Sequence, residues 1–258
     1  MINGIVALTA QNQEVVRPIH WNIYSWLIDT YGLANTQTGV WTMFAACILS
    51  AIIAYLIGSI NPAIIISRKV YHDDIRTHGS GNAGATNTLR TYGKKTAALI
   101  FALDLLKTAV AIIIGSLLVT REIGGAIAGL FVIVGHMFPI YYKFKGGKGV
   151  ACLAIVALTL SPISFAILIL LFIAIVATTG YVSLGSVMVV MLYPLMNNAF
   201  YPQNGMITFT GICIMALVVF MHRENIKRLL AGKESKLSFG KKNKNKTEDA
   251  SSDDATEK

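Results

Sequence analysis

The 258-residue sequence is poor in charge and in cysteine, and both shortages restrict what the protein can be. Only 14% of its residues are charged, whereas soluble domains carry roughly a quarter. The three cysteines lie in apolar runs without a CxxC or paired spacing, so neither a disulfide framework nor a cysteine metal site is indicated. The five histidines are scattered, and none has a second ligand at helical spacing. We therefore expect no metal and no cofactor.

Apolar runs near the ~20-residue length of a membrane span recur along the chain, and 54% of all residues are hydrophobic. The sequence predicts an all-α integral membrane protein with about seven transmembrane helices. The predicted helices cover 41–67, 97–119, 124–142, 149–160, 163–179, 184–199 and 206–221.

The stretch 150–180 decides this count. As one helix it would be about 46 Å long, well beyond the ~30 Å hydrocarbon core. Ser161-Pro162 offers a break near its middle, because the residue before a proline disfavours helical geometry. A five-span topology, with 149–179 and 184–221 each counted once, remains the alternative; it places Ser183 and Ser186 outside.

The basic residues are concentrated in three polar segments. Of 22 Lys and Arg, six lie in 68–96, three in 143–148 and nine in 222–246. By the positive-inside rule these segments face the cytoplasm, which puts the N-terminus outside and the C-terminus inside. Because the charges flank membrane spans, we expect membrane lipids or a phosphorylated small molecule as partners, and no nucleic acid.

Composition divides the chain into three parts. Residues 1–40 form a predicted extension on the outer face, with scattered Trp and Tyr. Residues 41–232 form the membrane domain, and 233–258 form a charged cytoplasmic tail that is predicted to be disordered. Within the domain, Pro62 predicts a kink in the first span. Asp104 and Lys107 share one face of the second span, which favours a structural ion pair over a substrate contact.

Three cytoplasmic segments combine glycine with groups that bind anions. The first is GSGNAGATNTLR, residues 79–90, whose GxGxxG pattern follows a membrane helix and therefore does not fit a dinucleotide site. The second is KGGKG, 145–149, which lacks the Ser or Thr of a phosphate-binding P-loop. The third begins with His222, Arg223 and Asn225. Each segment has a structural explanation alone, but together they predict a site for phosphate groups.

The same segments carry a resemblance. GSGNAGATNTLRTYGKKTAAL, GHMFPIYYKFKGGKGVA and HRENIKRLLAGKE resemble, in order and spacing, the three signature segments of bacterial acyl-phosphate:glycerol-3-phosphate acyltransferases. This likeness implies transfer of a fatty acyl group from acyl phosphate to the sn-1 hydroxyl of glycerol 3-phosphate. The implied setting is the bacterial cytoplasmic (inner) membrane, with the active site facing the cytoplasm. The expected partners are both substrates, membrane lipids and the soluble enzyme that makes acyl phosphate.

Residue by residue, the resemblance and the composition of the segments give one candidate site. The expected catalytic residues are Ser80, Arg90, Lys148, His222 and Asn225. The expected substrate-binding residues are Gly79, Gly81, Asn82, Asn87, Lys145, Gly146, Gly147, Gly149, Ser183 and Ser186. Glu234, at the end of the third segment, is expected to be structural.

Two features of the sequence bear on mechanism. No histidine begins an H-x4-D, so the acid/base pair of the common glycerolipid acyltransferases is absent. No Ser-His-Asp or Cys-His arrangement is visible either, which agrees with direct attack by the substrate hydroxyl. His222 or a substrate phosphate would take the proton, and the resemblance favours the phosphate. The alternatives are a transporter of a phosphorylated organic anion, which inverted repeats would favour, and a metal-dependent phosphatidyl-alcohol transferase, which needs a cluster of aspartates.

Overall fold

The computed structural model describes residues 21–237, and every regular element in that range is helical. The predicted all-α class is thereby confirmed for this part of the chain. Two short 3-10 turns, Ile75–Thr77 and Ile140–Tyr142, lie in the connections. The helices are α1 Ile23–Tyr31, α2 Gln37–Ser59, α3 Pro62–Val70, α4 Ala85–Thr91, α5 Lys94–Leu118, α6 Arg121–Met137, α7 Val150–Leu160, α8 Pro162–Thr179, α9 Val182–Phe200, α10 Gly205–Met221 and α11 Arg223–Leu230.

The first predicted span is broken where the sequence places a proline. α2 ends at Ser59, and Pro62 occupies the first turn of α3, where its missing N–H costs nothing. Asn61 caps α3 by accepting a hydrogen bond from the Ile64 N–H at 3.1 Å. The predicted kink at Pro62 is confirmed, and the break leaves backbone carbonyls near residue 60 without partners inside the helix.

All seven predicted helical segments occur within the described residues. Five of them are long and apolar enough to cross a membrane: Gln37–Val70, Lys94–Leu118, Arg121–Tyr142, Pro162–Thr179 and Val182–Phe200. α10 and α11 together form a sixth candidate that bends by 58°. α7 has 11 residues, or about 16 Å, which is roughly half the hydrocarbon core.

The break predicted at Ser161-Pro162 is confirmed, because α7 ends at Leu160 and α8 begins at Pro162. α7 and α8 therefore form a hairpin with one short arm. The number of spans and the orientation of the termini remain predictions.

α6 is the most enclosed of the spans, and glycines let its neighbours approach closely. A Cβ at Gly58 of α2 would lie 2.2 Å from the Val132 carbonyl oxygen, and one at Gly124 would lie 2.1 Å from that of Gly115. Such small-residue contacts are how membrane helices pack without a hydrophobic driving force. The last turn of α6 carries His136, which is buried.

The two predicted end regions are described only in part. α1 is capped by Asn22, whose side chain accepts from the Ser25 N–H at 2.8 Å, and Trp21 and Trp26 next to it are exposed. Residues 1–20 of the predicted extension and 238–258 of the predicted tail lie outside the described residues. The described start of the tail packs on the domain, since the Leu237 N–H donates to the Gly180 carbonyl at 2.7 Å.

Candidate active site

The three polar segments converge on one cavity of about 180 Å³. Elements far apart in sequence form its wall: the loop before α4, the start of α7, the start of α9 and the bend between α10 and α11. Ten of the fifteen predicted site residues line it: Ser80, Asn82, Asn87, Arg90, Lys148, Gly149, Ser183, Ser186, His222 and Asn225.

The other five predicted residues, Gly79, Gly81, Lys145, Gly146 and Gly147, do not line the cavity. The Gly146 N–H donates to the Met137 carbonyl at 3.1 Å, and the Gly147 N–H donates to the His136 carbonyl at 3.0 Å. Donors already bound to α6 are not free for an anion. Gly79 and Gly81 adopt positive φ values of 53° and 69°, a conformation that favours glycine. These glycines shape the loops next to the cavity wall, and their contact with a ligand stays a prediction.

Asn87 organises the first segment. Its Oδ1 accepts from the Ser80 N–H at 3.0 Å, while its Nδ2 donates to the carbonyls of Ile75 and His78 at 3.1 and 2.9 Å. Both amide hydrogens are thus committed to the loop. Although Asn87 borders the cavity, its hydrogen bonds hold Ser80 in place, so its main contribution is to the shape of the segment.

The chain just before the first segment is tied to the second segment. Arg76 pairs with Asp74 at 2.7 Å and donates to the Tyr142 carbonyl at 3.0 Å and the Lys145 carbonyl at 3.3 Å. Hydrogen bonds from the Arg76 guanidinium outweigh burial and lower the pKa of the Asp74 carboxyl. The pair therefore stays charged at neutral pH and fixes the spacing between the two loops.

Lys148 carries the positive charge of the second segment into the cavity. It donates to Asn225 Oδ1 in the third segment. Burial, together with the nearby charge of Arg228, lowers the pKa of the Lys148 ammonium to about 8. The side chain remains mostly protonated at pH 7, and a bound anion would stabilise its charge.

His222 lies at the bend between α10 and α11, and its Nδ1 is 2.8 Å from the Val218 carbonyl oxygen. Because a carbonyl only accepts, Nδ1 carries the hydrogen and Nε2 keeps its lone pair. Burial and the Lys148 charge lower the pKa of His222 to about 4. The ring is consequently neutral at pH 7 and acts as a hydrogen-bond acceptor within the cavity wall.

Glu234 closes the cavity from the C-terminal side. Its carboxylate accepts from Asn225 Nδ2 at 2.7 Å, Arg228 Nε at 2.7 Å and Ser183 Oγ at 2.9 Å. Burial acts to raise the pKa of Glu234, but these hydrogen bonds lower it on balance. With its oxygens occupied in this way, Glu234 fits the structural role expected of it.

Among the lining residues that the sequence analysis did not assign to the site are Asp104 of α5 and His136 of α6. Asp104 Oδ1 lies 2.8 Å from Lys107 Nζ, which confirms the predicted ion pair, and 3.3 Å from His136 Nδ1. A charged pair inside a membrane span is a signal of function by default. His136 carried no such signal, because nothing in the sequence places it beside residue 104.

Asp104, His136 and Cys152 hold ligand atoms within 4.8 Å of one another, which is a geometry that a metal ion could use. Lys107 Nζ lies 2.8 Å from the carboxylate and 3.0 Å from His136 Nδ1. The Lys107 ammonium is therefore already the cation at this position, and the three residues do not fit a metal ion beside it.

An apolar groove of about 130 Å³ adjoins the polar cavity. Four residues line both: Phe101, Val150, Ala151 and Phe172. Beyond them the groove is lined by Leu153, Ala154, Ala157, Phe165, Leu168, Ile169 and Val189. The combined site thus has a charged end and a hydrocarbon end, which meet at the start of α7.

Comparison with known proteins identifies close relatives. A family model described as Glycerol-3-phosphate acyltransferase matches residues 48–232. A glycerol-3-phosphate acyltransferase of Thermoanaerobacter sp. (strain X514) is 47% identical over 190 residues, which are 74% of this chain and 95% of the relative. One from Finegoldia magna (strain ATCC 29328 / DSM 20472 / WAL 2508) is 40% identical over 190 residues, 74% of this chain and 96% of that protein.

Two solved structures are also similar. Both are crystal structures of PlsY, described as an integral membrane glycerol 3-phosphate acyltransferase. The glycerol 3-phosphate form is 38% identical with a TM-score of 0.69, over 74% of this chain and 96% of that chain. The lysophosphatidic acid form is 37% identical with a TM-score of 0.66, over 74% and 94%. The region matched by the family model includes every residue of the cavity wall except Glu234.

Proposed function

The chain belongs to the glycerol-3-phosphate acyltransferase family, and from this premise we propose that it transfers a fatty acyl group from acyl phosphate to the sn-1 hydroxyl of glycerol 3-phosphate. The products are lysophosphatidic acid and inorganic phosphate. The resemblance of the three polar segments to this family is confirmed by the match over 48–232. The identity of the acyl donor is part of the proposal.

The observation that carries the proposal is the junction between the polar cavity and the apolar groove. An acyl phosphate has a dianionic head and a hydrocarbon chain, and glycerol 3-phosphate adds a second phosphate. The cavity offers Arg90 and Lys148 to phosphate oxygens, and the groove offers a nearly all-apolar wall to the chain. The reacting carbonyl would then lie at the junction, near Val150 and Ala151.

We assign roles to the lining residues according to their chemistry. Arg90 and Lys148 bind phosphate oxygens, and Ser80 and Ser186 donate or accept hydrogen bonds beside them. Asn225 holds the Lys148 ammonium in position through its Oδ1. His222, with a free Nε2, accepts a hydrogen bond from a substrate hydroxyl.

The reaction needs no covalent acyl-enzyme, since acyl phosphate is an activated mixed anhydride. The sn-1 hydroxyl oxygen bonds to the acyl carbon, the bond from that carbon to the phosphate oxygen breaks, and phosphate leaves. The hydroxyl proton passes to a phosphate oxygen of the substrates. A general base works best when its pKa lies near the working pH. Burial and the Lys148 charge lower the pKa of His222 in the free protein to about 4, which favours a phosphate oxygen as the proton acceptor. Positioning and charge stabilisation are the contribution of the protein.

We further propose seven spans, with the N-terminus outside and this site facing the cytoplasm of the bacterial inner membrane. Ser183 Oγ is 2.9 Å from Glu234 Oε1, and Arg90 Nη2 donates to the Ser235 carbonyl at 3.2 Å. The turn before α9 and the basic C-terminal segment thus lie on the same side of the protein. This contact supports seven spans, because the five-span alternative separates Ser183 from the C-terminal segment by a membrane.

The proposed donor is tested by giving the purified protein a long-chain acyl phosphate and glycerol 3-phosphate and measuring phosphate release. We expect release that depends on both substrates and is not replaced by acyl-CoA. Arg90→Ala should lose most of this activity. Arg121→Ala is the matched control, because Arg121 donates to the Thr159 carbonyl and does not line the cavity. Use of acyl-CoA without acyl phosphate turnover would contradict the proposal.

A further inference from the structure

A buried charged cluster lies directly beneath the proposed site. It consists of Asp104, Lys107 and His136, which are 1%, 8% and 3% exposed. Lys107 Nζ is 2.8 Å from Asp104 Oδ1 and 3.0 Å from His136 Nδ1, and the carboxylate is 3.3 Å from the imidazole. Charged groups inside a membrane domain are costly and persist only where their partners are well placed.

Lys107 connects this cluster to the break in the first span. Its ammonium donates to the Gly58 carbonyl at 3.2 Å and to the Ile60 carbonyl at 2.8 Å. These are carbonyls at the end of α2 that lack helical partners. The next residue, Asn61, donates from Nδ2 to the Ala83 carbonyl at 3.3 Å. The cluster is thereby linked to the first polar segment in two steps.

His136 connects the cluster to the second polar segment. Its carbonyl accepts the Gly147 N–H at 3.0 Å, and a Cβ at residue 147 would lie only 2.0 Å from its Nε2. The glycine loop therefore rests on the imidazole ring itself. The loop also reaches the first segment, because the Ala83 N–H donates to the Gly146 carbonyl at 3.4 Å. Lys148 follows Gly147 directly, so the direction of its side chain depends on the contact between the glycine loop and His136.

We infer that the Asp104–Lys107–His136 cluster is a positioning device that fixes the glycine loop, and with it Lys148, in the conformation that binds phosphate. The inference rests on the proposed function of the cavity. Lys107 binds the free carbonyls at the helix break, and Asp104 balances its charge. His136 contacts the glycine loop and supports it. Because Asp104 and His136 also border the cavity, a shift in the cluster changes the cavity wall directly.

The first test replaces the ion pair by neutral side chains of similar size, Asp104→Asn together with Lys107→Met. A single change would leave an unpaired buried charge and could prevent folding. In the double variant we expect a folded protein with a lower melting temperature, because the Gly58 and Ile60 carbonyls lose their donor. Its kcat/KM should fall roughly 10²-fold, since small misplacement of positioning groups has effects of that size. The exposed pair Glu224 and Lys227, at 3.1 Å, supplies the control: Glu224→Gln with Lys227→Met should leave kcat/KM unchanged.

Binding is measured separately from turnover. The protection of each protein against thermal unfolding by inorganic phosphate and by glycerol 3-phosphate reports anion affinity even if the donor is misassigned. The inference predicts weaker protection in the double variant than in wild type. Equal protection and kcat/KM within about twofold of wild type would overturn it. Wild-type protein that binds these anions but releases no phosphate from acyl phosphate would instead contradict the proposed function.

A second test examines the contact between His136 and residue 147. Gly147→Ala alone should reduce anion binding, because the added methyl group collides with the imidazole. The double variant Gly147→Ala with His136→Ala should lose no more anion affinity than the worse of the two single variants, since both changes act through one contact. Losses that simply add would show that the ring and the loop act independently, and would overturn the inference.

Discussion

The two glycine-rich loops beside the site are held in place by different kinds of contact. The loop at 79–84 is held by a side chain, Asn87, which binds three backbone groups of residues 75–80. The loop at 145–149 is held by backbone groups of α6 and rests on His136. The N–H groups of Gly81, Gly84, Gly146 and Gly147 are hydrogen-bonded within the protein, whereas Gly149 lines the cavity. In both, glycine permits the turn or the close approach, and a neighbouring long side chain carries the charge.

The largest expected effect removes the charge of the second loop. Lys148→Met should lower kcat/KM roughly 100-fold, because a hydrogen bond to a charged group is worth about 1.5–3 kcal/mol. The measurement is steady-state phosphate release at pH 7. Lys145→Met in the same loop is the control, since Lys145 is exposed and does not line the cavity. A comparable loss of kcat/KM in Lys145→Met would contradict the distinction between Lys148, which lines the cavity, and Lys145, which does not.

The second prediction breaks the support of the first loop. Asn87→Asp keeps the shape of the side chain and Oδ1, but it removes the donors to the Ile75 and His78 carbonyls. The Ile75 and His78 carbonyls then keep only their backbone donors, the N–H groups of His78 and Gly81 at 3.3 and 2.9 Å. They also face a carboxylate that repels them, so the loop loses stability. We expect a lower melting temperature and at least a tenfold loss of kcat/KM. If Asn87→Asp changed KM alone and left the melting temperature intact, Asn87 would be a direct substrate ligand instead.

The third prediction concerns pH. Lys148, whose pKa in the free protein is lowered to about 8, is protonated below that pH and loses its charge above it. Since kcat/KM reports the free enzyme, it should decline above pH 8, by up to tenfold per pH unit. Lys148→Arg should move this decline to higher pH, because arginine stays charged. A flat profile from pH 7 to 9.5 in the wild type would remove Lys148 from the phosphate site.

The smallest expected effect is at His222. Replacement by Gln keeps a hydrogen-bond acceptor near the position of Nε2, so we expect a loss of no more than about threefold. His222→Ala should lose considerably more, because no acceptor is left in the wall. Each variant is compared with the wild type over pH 6–8, where the wild-type His222, with its lowered pKa of about 4, stays neutral. A large loss in His222→Gln would indicate that the ring itself takes part in proton transfer.

Much of the fold follows from the sequence, because its determinants are local. Pro62 and Ser161-Pro162 each predict a break in a span, and both breaks are confirmed. Apolar length predicts the helices themselves. The shortness of α7 follows from the distance between Gly149 and the second break, so it was also accessible from sequence.

The site was predictable in its charged members but less so in its supports. Arg90, Lys148 and Asn225 are visible as polar residues beside membrane spans, and they do line the cavity. His136 was not recognised, because its partners Lys107 and Gly147 lie on other elements. Spacing along one helix reveals pairs such as Asp104 and Lys107, whereas contacts between helices depend on packing angles that a single sequence does not specify.

The junction between cavity and groove is tested most directly by the dependence of activity on acyl-chain length. Ala154→Phe places a large ring in the groove, while Leu158→Phe on the exposed part of α7 is the control. With Ala154→Phe, the KM for long-chain acyl phosphates should rise at least tenfold, whereas short-chain donors and the KM for glycerol 3-phosphate should be nearly unaffected. An equal effect on long and short donors, or none on either, would contradict the assignment of the groove to the acyl chain.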